Sequence, residues 1–178
     1  MKTRFAALLV AAALVAPANA GQFKPNRVPD VPYVPTPESV VDAMLALAHV
    51  TSADVVYDLG SGDGRIPIAA AKQYGAFGVG IEMDSLLLRR SNDNLKQAGV
   101  GDRVRFVYGD LFETDISGAT VVTMFLLPRL TERLIPKFTR ELRPGTRIVS
   151  HKYDMGETWP PEQSQDVDGL MIYLWTVK

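Results

Sequence analysis

The chain of 178 residues contains no cysteine. It therefore has no disulfide framework and no thiolate ligands for a metal, and no metal site is expected. Histidine is scarce, with two in the chain, so imidazole acid–base chemistry has few candidates. An excess of one charge sign is also missing: 19 basic residues face 20 acidic ones, for a formal net charge of −1. No basic face is available to attract nucleic acid, and no nucleic-acid partner is expected. A long apolar run is lacking as well. Phe5 to Val15 is unbroken but falls short of the roughly 20 residues a membrane span needs. What is present, 47% hydrophobic and 22% charged residues, is the composition of a globular protein with one full core.

That short apolar run opens the chain's first segment. Lys2 and Arg4 precede it, and Ala18-Asn19-Ala20 follows with the small-x-small form of a signal-peptidase site. Residues 1–20 thus read as a signal peptide cleaved after Ala20. With no twin-arginine pair and no lipoprotein cysteine, the expected route is Sec-type export to a periplasm, and no membrane span is expected in the mature chain. Residues 21–37 form a proline-rich arm, with Pro25, Pro29, Pro32, Pro35 and Pro37, which favours extended chain over helix. Its end carries Tyr33 and Thr36. They lie either on a surface linker or over a ligand held at the first strand's carboxyl end. Residues 38–178 make the remaining domain.

The stretch D-V-V-Y-D-L-G-S-G-D-G-R at 54–65 organises that domain. Val55, Val56 and Tyr57 suit a buried strand, glycines end it, and Ile66 to about Tyr74 reads as helix. Strand, glycine turn and helix make the first crossover of a doubly wound α/β fold, whose ligand sits beyond the strand ends. The expected fold is a Rossmann-like, mostly parallel sheet with an antiparallel C-terminal strand and helices on both faces. The loop chooses among ligands. Asp58 precedes it and Asp63 lies within it, and carboxylates repel the pyrophosphate that dinucleotide sites hold on a helix N-terminus. They suit a cation, and S-adenosylmethionine carries a sulfonium and an ammonium. Gly60, Ser61, Gly62 and Gly64 let the backbone lie close against such a cofactor.

Further strands are expected at Gly78–Glu82, Arg103–Tyr108, Ala119–Leu126, Thr146–Ser150, Gln163–Val167 and Leu170–Val177. Glu82 ends the second strand at a spacing that suits the ribose hydroxyls. Asp110, in Gly109-Asp110-Leu111-Phe112, can accept from an adenine amino group while the Leu111 backbone holds the ring, or can simply shape a turn. After the fourth strand, Phe125, Leu126, Leu127 and Pro128 form an apolar lip where enzymes acting on base amines or glutamine amides carry an Asn/Asp-Pro-Pro-aromatic motif. That lip suits a long aliphatic arm or the core. Asp84 is an expected N-cap for a helix at Ser85–Ala98, and His49 falls at the end of a helix over Glu38–Ala48. A helix beginning at Pro128 presents Leu130, Leu134, Phe138 and Leu142 on one face, and Pro136 should kink it. His151 and Tyr153, at the end of the fifth strand, are the weak catalytic candidates; for His151 the alternative is a hydrogen-bonded structural histidine.

Together with G-V-G-I-E at 78–82, G-D-L-F at 109–112 and E-L-R-P-G-T-R-I-V-S at 141–150, the stretch at 54–65 resembles class I, seven-stranded S-adenosylmethionine-dependent methyltransferases. The P-Y-V-P-T-P arm and F-L-L-P segment are similar to bacterial relatives of the lysine methyltransferases that act on the c-ring protein of the mitochondrial ATP synthase. The resemblance implies that Asp58, Gly60 and Gly62 contact the methionine part, Glu82 the ribose and Asp110 the adenine. It implies in-line SN2 methyl transfer to an amine, with a protein lysine as the acceptor. The leader departs from that family, because S-adenosylmethionine is made in the cytoplasm. An exported cofactor-binding or scaffold protein that keeps the fold without turnover is the rival reading.

Overall fold

The structure is a computed structural model, described here over residues 32–178; the leader at 1–20 and the arm up to residue 31 lie outside the described residues. The elements in chain order are α1 (Glu38–Leu47), β1 (Val55–Leu59), α2 (Arg65–Tyr74), β2 (Phe77–Glu82), α3 (Ser85–Ala98), β3 (Val104–Tyr108), β4 (Val121–Met124), α4 (Pro128–Glu141), β5 (Arg147–His151), β6 (Gln163–Val167) and β7 (Leu170–Thr176). They build one seven-stranded sheet in the order β3-β2-β1-β4-β5-β7-β6. β1 through β5 run parallel, and β7 runs antiparallel to both β5 and β6. The doubly wound, mostly parallel sheet is as expected, with its order reversing beside β1.

Strand alternation sorts the core into two faces. Tyr57 and Leu59 of β1, Val122 and Met124 of β4, Ile148 of β5 and Trp175 of β7 pack with Leu130, Leu134 and Phe138 of α4. Val56, Val121, Val149 and Ile172 point the other way, onto Val41, Met44 and Leu45 of α1 and Ile66 and Ala70 of α2. Ile68 and Ala71 of α2 meet Leu95 of α3 and Val104 of β3. The four-residue repeat of α4 is thus its buried face, and each such side chain contributes about 1.5–3 kcal/mol by leaving water.

Three local expectations change. β4 is shorter than Ala119–Leu126, because its ladder partner β1 stops at Leu59, so Phe125 and Leu126 have no strand beside them there. His151 ends β5 instead of following it, since it pairs with Ile172 of β7. Pro136 lies inside α4, which nevertheless runs on to Glu141. Caps behave as expected elsewhere: Asp84 Oδ1 accepts from the N–H groups of Leu86 at 2.7 Å and Leu87 at 3.4 Å, and Gly99 closes α3 with φ +69°.

Candidate active site

At the carboxyl ends of β1, β2, β3 and β4 lies a cavity of about 570 Å³ whose wall includes Asp58, Gly60, Ser61, Asp63, Glu82 and Asp110. Each acidic residue arrives there because a parallel strand ends beneath it. Asp58 is 4% exposed, and its Oδ1 accepts from the Thr123 hydroxyl of β4 at 2.8 Å. Burial pushes its carboxyl up to about 7 against that hydrogen bond, and the charges of Glu82 and Asp63 push the same way. Glu82 is held on both oxygens: Oε2 accepts from Gly62 N–H at 2.8 Å, and Oε1 from Met83 and Asp84 N–H, each at 2.8 Å. Asp110 Oδ1 accepts from Phe112 N–H at 2.8 Å, so this side chain both shapes the Gly-Asp turn and faces the cavity, with Leu111 beside it.

Asp63 is occupied differently from the expectation that both loop carboxylates await a cation. Arg65 Nε donates to its Oδ1 at 3.0 Å and Arg65 Nη2 to its Oδ2 at 2.8 Å. Desolvation opposes ionisation, but Arg65, together with the Tyr33 hydroxyl, holds this carboxyl below its usual range. Two of the glycines also have other work. Gly62 and Gly64 are outside the cavity wall. Each has positive φ, and a Cβ would come within 2.4 Å of the Tyr33 ring at Gly62 and 2.3 Å of the Phe106 ring at Gly64. These glycines bring the arm and β3 against the loop. Ser61 is in the wall, its buried hydroxyl without a partner among the described residues.

Tyr33 and Thr36 both line the cavity, which favours the lid over the linker for residues 32–36. Arg65 Nη1 donates to Thr36 O at 2.8 Å, and Thr36 Oγ1 is 3.2 Å from His151 Nδ1. His151 itself stands behind the wall. It is 2% exposed and its ring centroid is 4.0 Å from that of Phe125. Burial, then the neighbouring Lys152 charge, lowers its pKa to about 4. At neutral pH it is an uncharged packing group holding Thr36, and the structural alternative fits it. Tyr153 is in the wall, as are Phe125, Leu126 and Leu127; Pro128 is not, and starts α4 while Leu130 takes its place. Sequence reasoning missed Leu87, Arg65 and Lys152, which also line the cavity. An amphipathic helix and a strand end signalled Leu87 and Lys152, but nothing signalled which way they face.

This wall suits a cationic ligand and repels an anionic one. The N–H groups of Gly60 and Ser61 donate to Ile81 O, that of Gly64 to Ser61 O, and those of Gly62 and Arg65 to Glu82 and Asp63. The loop therefore has none of these donors left for a phosphate, while Asp58 is buried where a positive charge would ionise it. Residues of the wall that fit S-adenosylmethionine are thus the strand-end acids and the loop backbone. Among the described residues no cluster of three His, Cys, Asp or Glu side chains could hold a metal ion, and no helix is long and apolar enough to cross a membrane.

Comparison with known proteins agrees with this geometry. The family model described as the ANTKMT methyltransferase domain matches residues 58–163, from Asp58 to the first residue of β6. A protein-lysine N-methyltransferase of Saccharolobus islandicus is 49% identical over 156 residues, 85% of this chain and 97% of that protein. The lysine N-methyltransferase of Caenorhabditis elegans that is named for the ATP synthase c-ring protein is 29% identical over 153 residues, covering 80% of each. A crystal structure described as an RNA methyltransferase from Salinibacter ruber, in complex with S-adenosyl-L-homocysteine, is 55% identical, with a TM-score of 0.79 over 81% of this chain and 94% of that one. With sequence, sheet order and acidic crevice in agreement, the chain belongs to the ANTKMT methyltransferase domain family and is a class I S-adenosylmethionine-dependent methyltransferase.

Proposed function

We propose that the acceptor is a lysine side chain of a protein. The observation that carries this reading is the apolar part of the cavity wall, lined by Phe125, Leu126, Leu127 and Leu130, with the Tyr153 ring stacked on Phe125. A lysine brings its own nucleophilic nitrogen and needs only to lose a proton, which its unperturbed pKa of about 10.4 resists. Desolvation by the apolar lip favours the neutral amine. An oxygen nucleophile would need a base, and His151 is buried with its Nδ1 against Thr36.

Bound S-adenosylmethionine supplies a sulfonium-activated methyl group. The chain's residues hold and orient: Asp58 and the Gly60 backbone toward the methionine part, Glu82 toward the ribose, Asp110 and Leu111 toward the adenine, with Tyr33 and Thr36 closing the arm over them. Two relatives are named as lysine methyltransferases and one is described as an RNA methyltransferase. The near-neutral charge and the apolar lip favour protein over RNA. The test is to incubate the chain with cell fractions and methyl-labelled S-adenosylmethionine. Label that survives nuclease and appears as methyllysine after hydrolysis is expected; label removed by nuclease assigns RNA.

The leader supports a second element of the proposal: residues 1–20 direct export to the periplasm. Because the methyl donor is cytoplasmic, such an enzyme turns over only where donor and chain meet. Fractionation with N-terminal sequencing checks this, Gly21 being the expected first residue and an intact Met1 in the cytoplasmic fraction the contrary result.

A further inference from the structure

Three residues other than glycine have positive φ among those described: His49 at 50°, Lys152 at 71° and Asp168 at 54°. Turn chemistry explains two of them. His49 closes α1, with Val50 N–H donating back to Leu45 O, and Asp168 precedes Gly169 in the β6–β7 hairpin. Lys152 has no such reason. Tyr153 N–H donates to His151 O at 2.9 Å across it, the three-residue turn that a positive φ makes strained. Its own N–H is fixed on Met171 O at 2.7 Å. Glycine would occupy this conformation at a saving of about 1–2 kcal/mol, so the lysine side chain is retained against backbone cost at the wall of the cavity.

The cavity contains an unmet demand that this side chain answers. The amino-acid end of S-adenosylmethionine carries a carboxylate along with its two cations, and the wall is rich in carboxylates of its own. The loop N–H groups of Gly60, Ser61, Gly62, Gly64 and Arg65 already donate elsewhere. The wall's basic side chains are Arg65 and Lys152. Arg65 is committed on every guanidinium nitrogen, Nε and Nη2 to Asp63 and Nη1 to Thr36 O. Lys152 is not: among the described residues its ammonium meets the Tyr153 ring, 5.5 Å from the centroid, and no carboxylate. We infer that Lys152 is the partner of the cofactor's carboxylate, held toward it by the strained turn at the end of β5. The assignment deepens the cofactor reading and rests on it.

The test compares S-adenosylmethionine with its decarboxylated analogue, which keeps both cations, by calorimetry on the whole chain. The wild type should prefer the parent ligand. Lys152→Met should weaken the parent by about tenfold, the size of one charge-assisted hydrogen bond, and leave the analogue unchanged. Lys152→Arg should retain the preference. Lys152→Gly separates ligand binding from architecture: it relieves the backbone, so its melting temperature should hold or rise while the preference is lost. Equal losses for both ligands in Lys152→Met, or an intact preference in Lys152→Gly, overturn the assignment alone. Failure of the wild type to bind either ligand overturns the cofactor reading, and this assignment with it.

Discussion

Asp58 lies buried beside Glu82 and Asp63, a concentration of negative charge that water would normally disperse. Its pKa of about 7 records the cost, mainly desolvation. A cationic ligand favours the ionised form, so binding releases a proton when the pH is below that value. Affinity should therefore rise as pH goes from 6 to 7.5 and lose that dependence in Asp58→Asn, with calorimetry in buffers of different ionisation enthalpy counting the proton. The ligand's own ammonium, with a pKa of about 7.7–8.0, titrates in both proteins and cancels in the comparison. Stability has the opposite sign. A carboxyl whose folded pKa is raised contributes stability present below its unfolded pKa and lost as pH rises through 7. Asp58→Asn should then melt about 3 °C higher or more at pH 8 while binding worse, with a smaller difference at pH 5. Strand-end acids such as Asp58, Glu82 and Asp110 were legible because a parallel sheet delivers its strand ends to one edge. The commitment of Asp63 to Arg65 was not, since no pattern says which carboxylate a neighbouring guanidinium takes. Nor was the partner of His151, because Thr36 is 115 positions away, although a hydrogen-bonded structural histidine was among the readings.

Loops and strands gain their function from how closely they approach. The arm reaches the glycine loop because Gly62 has no Cβ where the Tyr33 ring sits. Gly62→Ala would impose both a side chain within 2.4 Å of that ring and a positive φ of 54° on alanine. It should weaken S-adenosylhomocysteine binding by about 1 kcal/mol or more. Tyr33→Ala removes the obstruction but not the backbone strain, so the double variant should lose less than the sum of the singles. A double-mutant cycle on the dissociation constants reads that coupling, and strict additivity would mean the arm is not seated through this contact. Most of the strands were legible from hydrophobic runs between turns, β6 only from its place before the Asp168-Gly169 turn. The end of β4 was not, because Phe125 and Leu126 look like strand residues and only the length of neighbouring β1 shows that they leave the sheet. That departure turns an expected strand end into the apolar lip.

Opposite ends of the sheet serve opposite demands. Amino ends are tied by a compact polar network: Asp54 Oδ1 accepts from the Thr120 hydroxyl at 2.7 Å and pairs with Arg147, Asp54 Oδ2 accepts from Thr51 N–H at 2.8 Å, and Arg147 Nη1 reaches Ala48 O at 2.6 Å. β1, β4, β5 and the end of α1 meet there. Desolvation opposes the charge on Asp54, yet Thr120, Thr51 and Arg147 together hold its pKa below the usual value. Its stabilisation is therefore present above the unfolded pKa and lost as pH falls through the folded one, the reverse of Asp58. Asp63, Asp115 and Glu141 are lowered in the same direction. The unliganded protein should thus be most stable near pH 4, with an acid limb below, where its amino-end network is protonated, and an alkaline limb between about pH 4 and 7, where its buried Asp58 resists ionisation. Saturating S-adenosylhomocysteine should flatten that alkaline limb, because its ammonium compensates Asp58, and leave the acid limb in place. Asp54→Asn should do the converse: it steepens no alkaline loss, lowers the melting temperature at pH 7, and leaves the ligand dissociation constant within about twofold, distant sites being additive. Melting curves from pH 3 to 9, with and without ligand, test both halves together. An alkaline limb unmoved by ligand would show that the carboxylates of the cavity are not what the bound cation neutralises.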